Sequence, residues 1–265
     1  MSAQEITDLA AAARAADGVA PFNEATMIAL ENDGPWRVFS EHDHGAALAS
    51  EDAPVEIAVH PDHRRGGIGG ALLDRLIDGG EESFWSHGDL PAARALATSR
   101  DLHVARTLLV LRLSMTSAPE VPDLDGVSLR SFEEEDADAI VEINARAFAS
   151  HPEQGAMDRA DFDRRRAQSW FDPSGLFVAE REGRIVGFHW TKVEEGIGEV
   201  YVVGVDPDAH GGGLGTALTA RGLRHLWDGG LRTVDLYVEG DNAPALAVYH
   251  RLGFDEHARD VLWSV

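Results

Sequence analysis

The chain has no cysteine. That absence excludes disulfides, thiolate metal sites and a cysteine nucleophile, so any group transfer is expected to pass directly between bound reactants. Long apolar runs are missing too: no stretch approaches a membrane span, and the opening residues lack a basic start followed by an apolar core. A cytoplasmic location without a membrane partner is the expectation. Positive charge is scarce, with 23 Lys and Arg against 46 Asp and Glu and a formal net charge of -23. Nucleic acid and anionic lipid would be repelled at long range, so neither is expected as a partner. His42-Asp43-His44 is the one triplet with a metal-like composition, but adjacent strand residues face opposite ways and the triplet reads as a polar hairpin tip. No metal is expected.

What the chain does have is a repeat. Val59 to Leu73 aligns without a gap on Val205 to Thr219, with 8 of 15 positions identical. A fixed offset of that quality, in a chain of 265 residues, means duplicated domains rather than a solenoid. Each copy follows an apolar strand and precedes an apolar-periodic helix. In the second, Gly211, Gly212, Gly213 and Gly215 leave backbone N–H groups unobstructed at a helix N-terminus, a seat for a pyrophosphate. The spacing fits neither the P-loop nor the dinucleotide fingerprint.

The flanking sequence reads as mixed α/β in both halves. The first half is expected over residues 1–115: a helix over 4–16, a second capped by Asn23, short strands over 36–40 and 45–49, a helix through 71–77, a strand over 84–86, a helix over 92–99 and a strand over 105–115. Residues 116–126, with Pro119 and Pro122, are the expected linker. The second half, 127–265, is expected to open with a strand over 127–130 and a helix over 133–148. It continues with a hairpin over 176–193, a strand over 199–205, a helix over 212–227, a strand over 234–238 and a helix over 244–252.

The two loops carry a resemblance to GCN5-related N-acetyltransferases (GNAT), whose acetyl-CoA loop reads Arg/Gln-x-x-Gly-x-Gly/Ala after a strand. Arg64-Arg65-Gly66-Gly67-Ile68-Gly69 fits fully; His210-Gly211-Gly212-Gly213-Leu214-Gly215 departs at His210. The resemblance implies two tandem GNAT domains, each a mixed central sheet flanked by helices. Acetyl-CoA would be held by Val203, Gly204, Val205, His210 to Thr216 (His210, Gly211, Gly212, Gly213, Leu214, Gly215, Thr216) and the helix start Asn242, Ala243, Pro244, Ala245, Leu246, Ala247. In the first half the same contacts fall on Ile57, Ala58, Val59, Arg64, Arg65, Gly66, Gly67, Ile68, Gly69 and Gly70.

Glu199, on the strand feeding the second loop, is placed to accept the proton an ammonium must lose before attacking a thioester. Tyr249, seven residues after Asn242, looks like the family's tyrosine that protonates the departing thiolate. The first half has Ala53 where the repeat offset puts Glu199, and Leu90 and Ala97 at the places of Asn242 and Tyr249. It retains the means to hold acetyl-CoA but not the catalytic pair.

A narrower resemblance runs nearly the full length, through Phe22-Asn23-Glu24, Ser86 to Arg94, His151 to Gly155, Gly187 to Lys192 and Gly198 to Val205. It points to a tandem group of that family acting on the cysteinyl amine of cysteinyl-glucosaminyl-inositol. By it Glu24, Glu153, Lys192, Glu199 and Tyr237 touch the substrate, and a monomer is expected. Rival readings are an acetyltransferase for another small amine, such as an aminoglycoside, and a non-enzymatic acetyl-CoA-binding regulator.

Overall fold

Ser2 and Glu5 open the first helix by capping each other, and Gly18, at φ 76°, closes it. The computed structural model of the chain describes residues 1–31, 36–50, 53–149 and 154–265. In chain order the first elements are α1 (Ala3–Asp17), α2 (Glu24–Glu31), β1 (Arg37–Glu41), β2 (Gly45–Ala49), β3 (Val55–Val59), α3 (Ile68–Asp78), β4 (Ser83–Ser86), α4 (Pro91–Thr98) and β5 (His103–Ser114). They are followed by β6 (Val127–Ser131), α5 (Ala137–Ala147), α6 (Arg159–Arg166), β7 (Leu176–Arg181), β8 (Arg184–Glu194), β9 (Ile197–Val205), α7 (Leu214–Asp228), β10 (Thr233–Glu239), α8 (Ala243–Arg251) and β11 (Asp255–Ser264). Two compact units result: Met1–Leu109 with Glu239–Asp241 and Ala258–Val265, and Val110–Val238 with Asn242–His257.

In the first unit β1, β2 and β3 are antiparallel neighbours, β3 and β4 are parallel, and the end of β11 runs antiparallel to β4. His42 and Asp43 make the β1–β2 turn with φ of 52° and 55°, where Glu41 faces Gly45, so the polar triplet is a hairpin tip. Ile6 and Leu9 of α1 pack with Phe22 against Ala46, Leu48 and Ala58. A second core joins Leu73 and Leu76 of α3, Phe84, Ala97 and Leu102 to Val261 and Trp263 of β11.

In the second unit β6, β7, β8 and β9 form antiparallel pairs, and β9 runs parallel to β10. Ile140 and Ile143 of α5 and Phe162 of α6 cover Val178, Phe188, Trp190 and Val202 on one face. Leu214 and Leu218 of α7 pack with Ala179 and Ala209. The close approach of α7 depends on Gly222, where a Cβ would stand 2.0 Å from the His189 ring.

β11 is absent from the sequence expectation because its first half, Asp255 to Arg259, is polar and its apolar residues crowd into Val261, Leu262 and Trp263. The short helix α6 escaped it as well, being almost entirely charged around the single buried Phe162.

Candidate active site

The second glycine loop leaves β9 through Asp206, whose side chain accepts the N–H of Asp208 at 2.9 Å and an N–H of Arg146 at 2.7 Å. Gly211, Gly212 and Gly213 then take φ values of 93°, 61° and 82°, a left-handed run that side chains resist. A Cβ at Gly211 or Gly212 would meet no atom within 4 Å, and one at Gly213 only a Leu124 methyl at 3.9 Å. The loop is therefore open where side chains would project, and Gly213 caps the N-terminus of the long helix α7. Gly204 has a different reason to be glycine: its Cβ would lie 2.5 Å from the ring of Phe188.

His210, the departure from the family pattern, folds back so that Nε2 donates to the carbonyl of Val205 at 3.2 Å. Arg64 does the same in the first loop, its Nε donating to Val59 at 3.1 Å. Arg64 is further held by both carboxylate oxygens of Asp17, at 2.6 and 2.7 Å.

Upstream of the second loop, β9 is irregular in a useful way. Its ladder with β8 pairs Thr191 with Val200 but Trp190 with Val202, so Tyr201 is an extra, bulged residue. Its parallel ladder with β10 pairs Gly198, Glu199 and Val200 with Val234, Asp235 and Leu236. Beyond Val200 the register with β10 ends while β9 continues to Val205. A bulge followed by a parted strand turns backbone groups out of the ladder. The β2–β3 ladder, from Gly45↔Val59 to Leu48↔Glu56, matches the regular four pairs from Gly187↔Val205 to Trp190↔Val202 and stops short of the position equivalent to Tyr201.

Glu199 stands on β9, half-buried, opposite Lys192 on β8 and beside Asp235 on β10. Asp235 is neutralised by Arg112, with contacts of 2.6 and 2.7 Å. Lys192 is 6 % exposed, pairs with Glu194 at 3.2 Å, and lies over the rings of Trp170 and Tyr201 at 5.0 and 5.7 Å. Tyr237 is exposed on β10. Tyr249 lies on α8 against Phe254, and desolvation pushes its phenol up to about 12. Asn242 caps α8, accepting the N–H of Ala245 at 3.2 Å, while Ala243, Pro244, Leu246 and Ala247 make up the helix start. Glu24 is the first residue of α2 in the first unit. Glu153 lies outside the described residues; its neighbour Gln154 is tied to Asn144 by two hydrogen bonds of 2.7 and 2.9 Å.

The first loop opens onto a cleft of about 960 Å³ within the first unit. Of the positions expected to hold nucleotide there, Ile57, Ala58, Val59, Arg64, Arg65, Gly67, Ile68, Gly69 and Gly70 line it and Gly66 does not. Arg65 adopts φ 62° where the second loop has Gly211. The inner wall includes His87, pinned between two buried carboxylates: Nε2 is 2.6 Å from Glu56 and Nδ1 2.9 Å from Asp260. These two hydrogen bonds and charges outweigh desolvation and push its pKa up to about 10, so the ring is an imidazolium at neutral pH. This triad was not legible as a site: its members lie far apart in sequence, and only His87 falls in a stretch that carried the resemblance.

Among the described residues, no group of three or more His, Cys, Asp or Glu could hold a metal ion. No helix among them is long and apolar enough to cross a membrane.

The family model described as acetyltransferase (GNAT) matches residues 137–254. A mycothiol acetyltransferase of Clavibacter sepedonicus is 50% identical over 274 residues, covering 97% of this chain and 90% of that protein. One of Actinosynnema mirum is 47% identical, covering 99% and 95%. Among solved structures, a tandem GNAT protein from the clavulanic acid biosynthesis pathway matches with a TM-score of 0.70 at 21% identity, covering all of this chain and 94% of the other. A GCN5-related N-acetyltransferase from Sphaerobacter thermophilus gives a TM-score of 0.67 at 22% identity, covering 98% and 91%. These two establish the tandem GNAT fold. The chain belongs to the GNAT acetyltransferases and, within them, to the family of the mycothiol acetyltransferases.

Proposed function

We propose that the protein is a mycothiol synthase. It moves the acetyl group of acetyl-CoA onto the cysteinyl amine of cysteinyl-glucosaminyl-inositol, the last step of mycothiol biosynthesis. The near-full-length identity to proteins of that name supports the substrate. The observation that carries the division of labour is Glu199 on β9 and Tyr249 on α8 in the second half, where the first half has Ala53 and Ala97.

In this reading residues 127–265 are the catalytic domain, residues 1–115 a degenerate one that holds acetyl-CoA, and 116–126 the linker. The open left-handed run at Gly211 to Gly213 fits a pyrophosphate, with Val203 to Val205 along the pantetheine and Asn242 to Ala247 completing the site. Acetyl-CoA supplies an activated acyl group. Glu199 accepts the amine proton through a water, a backbone N–H near Val203 polarises the thioester oxygen, and Tyr249 gives its proton to the leaving sulfur. A phenol pushed up to about 12 is protonated at neutral pH and has that proton to give. Glu24, Glu153, Lys192, Glu199 and Tyr237 contact the substrate, whose ammonium and hydroxyls suit carboxylate acceptors.

The enzyme acts as a cytoplasmic monomer, and its charge of -23 supports the absence of nucleic-acid or membrane partners. Mass-spectrometric assay of acetylation with the cysteinyl pseudodisaccharide beside an aminoglycoside panel tests the reading. Acetylation of an aminoglycoside alone would replace it.

A further inference from the structure

One residue of β11 lines the cleft of the first unit and a second stands behind its wall. Val261 to Ser264 pair with β4, placing Trp263 opposite Phe84, and Trp263 is 5 % exposed in the core that backs the cleft while lining the cleft itself. Asp260 reaches the cleft through His87: one carboxylate oxygen holds Nδ1 at 2.9 Å, and the other accepts the N–H of Gly88 at 2.8 Å. His87 spends its second nitrogen on Glu56. With both ring nitrogens committed to carboxylates, His87 is neither acid nor base toward anything in the cleft; it is a wall fixed from behind. Removing Asp260 would leave that wall on one anchor and a buried imidazolium with half its counter-charge.

We propose that β11 is a working part of the nucleotide site in the first unit. Trp263 is a cleft wall and Asp260 a positioning residue behind His87, so binding there is conditional on the docking of Ala258–Val265. The proposal rests on the reading that this cleft holds CoA. Linkage makes the dependence reciprocal: a ligand that needs the docked strand must also stabilise it.

Hydrogen exchange of the full chain, with CoA as the probe, tests this beside calorimetric titration. CoA is expected to slow exchange of the amides in 258–265 by roughly tenfold or more, a local opening suppressed by mass action. Gly67→Val, which forces a β-branched residue into φ 89°, should abolish that protection, and Gly213→Val should leave it in place. Arg65→Glu, on an exposed loop residue of the same cleft, repeats the test should Gly67→Val fail to fold. Asp260→Asn, which keeps an oxygen for Gly88, should weaken CoA at this cleft about threefold to tenfold while leaving the other site's affinity unchanged.

CoA binding at the first cleft without protection of 258–265 overturns the proposal alone, as does protection that follows Gly213 instead of Gly67. If the folded first-loop variants bind CoA with the stoichiometry and affinity of the parent, the reading of the cleft as a CoA site falls with it.

Discussion

The imidazole of His210 donates to the carbonyl of Val205 at 3.2 Å, spanning the same five positions over which Arg64 reaches Val59. The residue that breaks the loop pattern therefore keeps the bond that closes the turn. His210→Gln, which retains a donor, is expected to leave the KM for acetyl-CoA within about twofold, whereas His210→Ala should raise it about fivefold through loss of one hydrogen bond. Steady-state kinetics with acetyl-CoA varied will check both; an unaffected alanine variant would show that the contact does not support acetyl-CoA binding.

Gly213 has space for a side chain but not the backbone angle for one, since its φ is 82° and only Leu124 lies near. Gly213→Asn, a residue that tolerates the left-handed region, should keep measurable activity; Gly213→Val should lose it, with a backbone cost of about 1–2 kcal/mol. Calorimetric titration of CoA into both variants separates strain from a blocked loop.

Glu199→Gln is expected to keep acetyl-CoA binding while slowing turnover roughly 10²-fold, the usual worth of a general base. Tyr249→Phe should lower kcat by a comparable factor, about 10²-fold, with KM for acetyl-CoA little changed. Near-normal turnover at neutral pH in either variant would remove that residue from the mechanism.

Two buried histidines give stability opposite pH limits. Burial pushes His189 down to about 4, so the fold resists its protonation. Stability is then full above about pH 6.5 and falls as pH drops toward 4, by about 3 kcal/mol for a shift of that size. His87, pushed up to about 10, contributes fully below about 6.5 and loses its contribution as pH rises through 10. Thermal melts from pH 4 to 10 should show both limbs. His189→Gln should flatten the acid limb, and His87→Gln the alkaline one.

The glycine loops, their strands and the helices behind them were legible because the repeat fixes them twice at one offset, and so was the place of Glu199 on the strand that feeds the second loop. The bulge at Tyr201 was not, since a one-residue slip depends on two strands meeting and leaves no local signature in either. Nor was the partnership of Asp17 with Arg64, or that of Glu56, His87 and Asp260: burial forces these ions together, and the chain separates them widely. Sequence also divides the molecule at a linker, whereas the compact units cross that division by taking Glu239–Asp241 and Ala258–Val265 into the first.

That crossing bears on how the protein is made. Domains ordinarily fold in the order in which the ribosome releases them. Here the first unit leaves the tunnel without the strand that pairs with β4 and without one of the two carboxylates that hold His87, and it waits for both until the rest of the chain has been translated. During that interval β4 is an open sheet edge and His87 is held by Glu56 alone, a nascent state suited to chaperone capture. The half encoded first thereby depends for its native form on the residues encoded last.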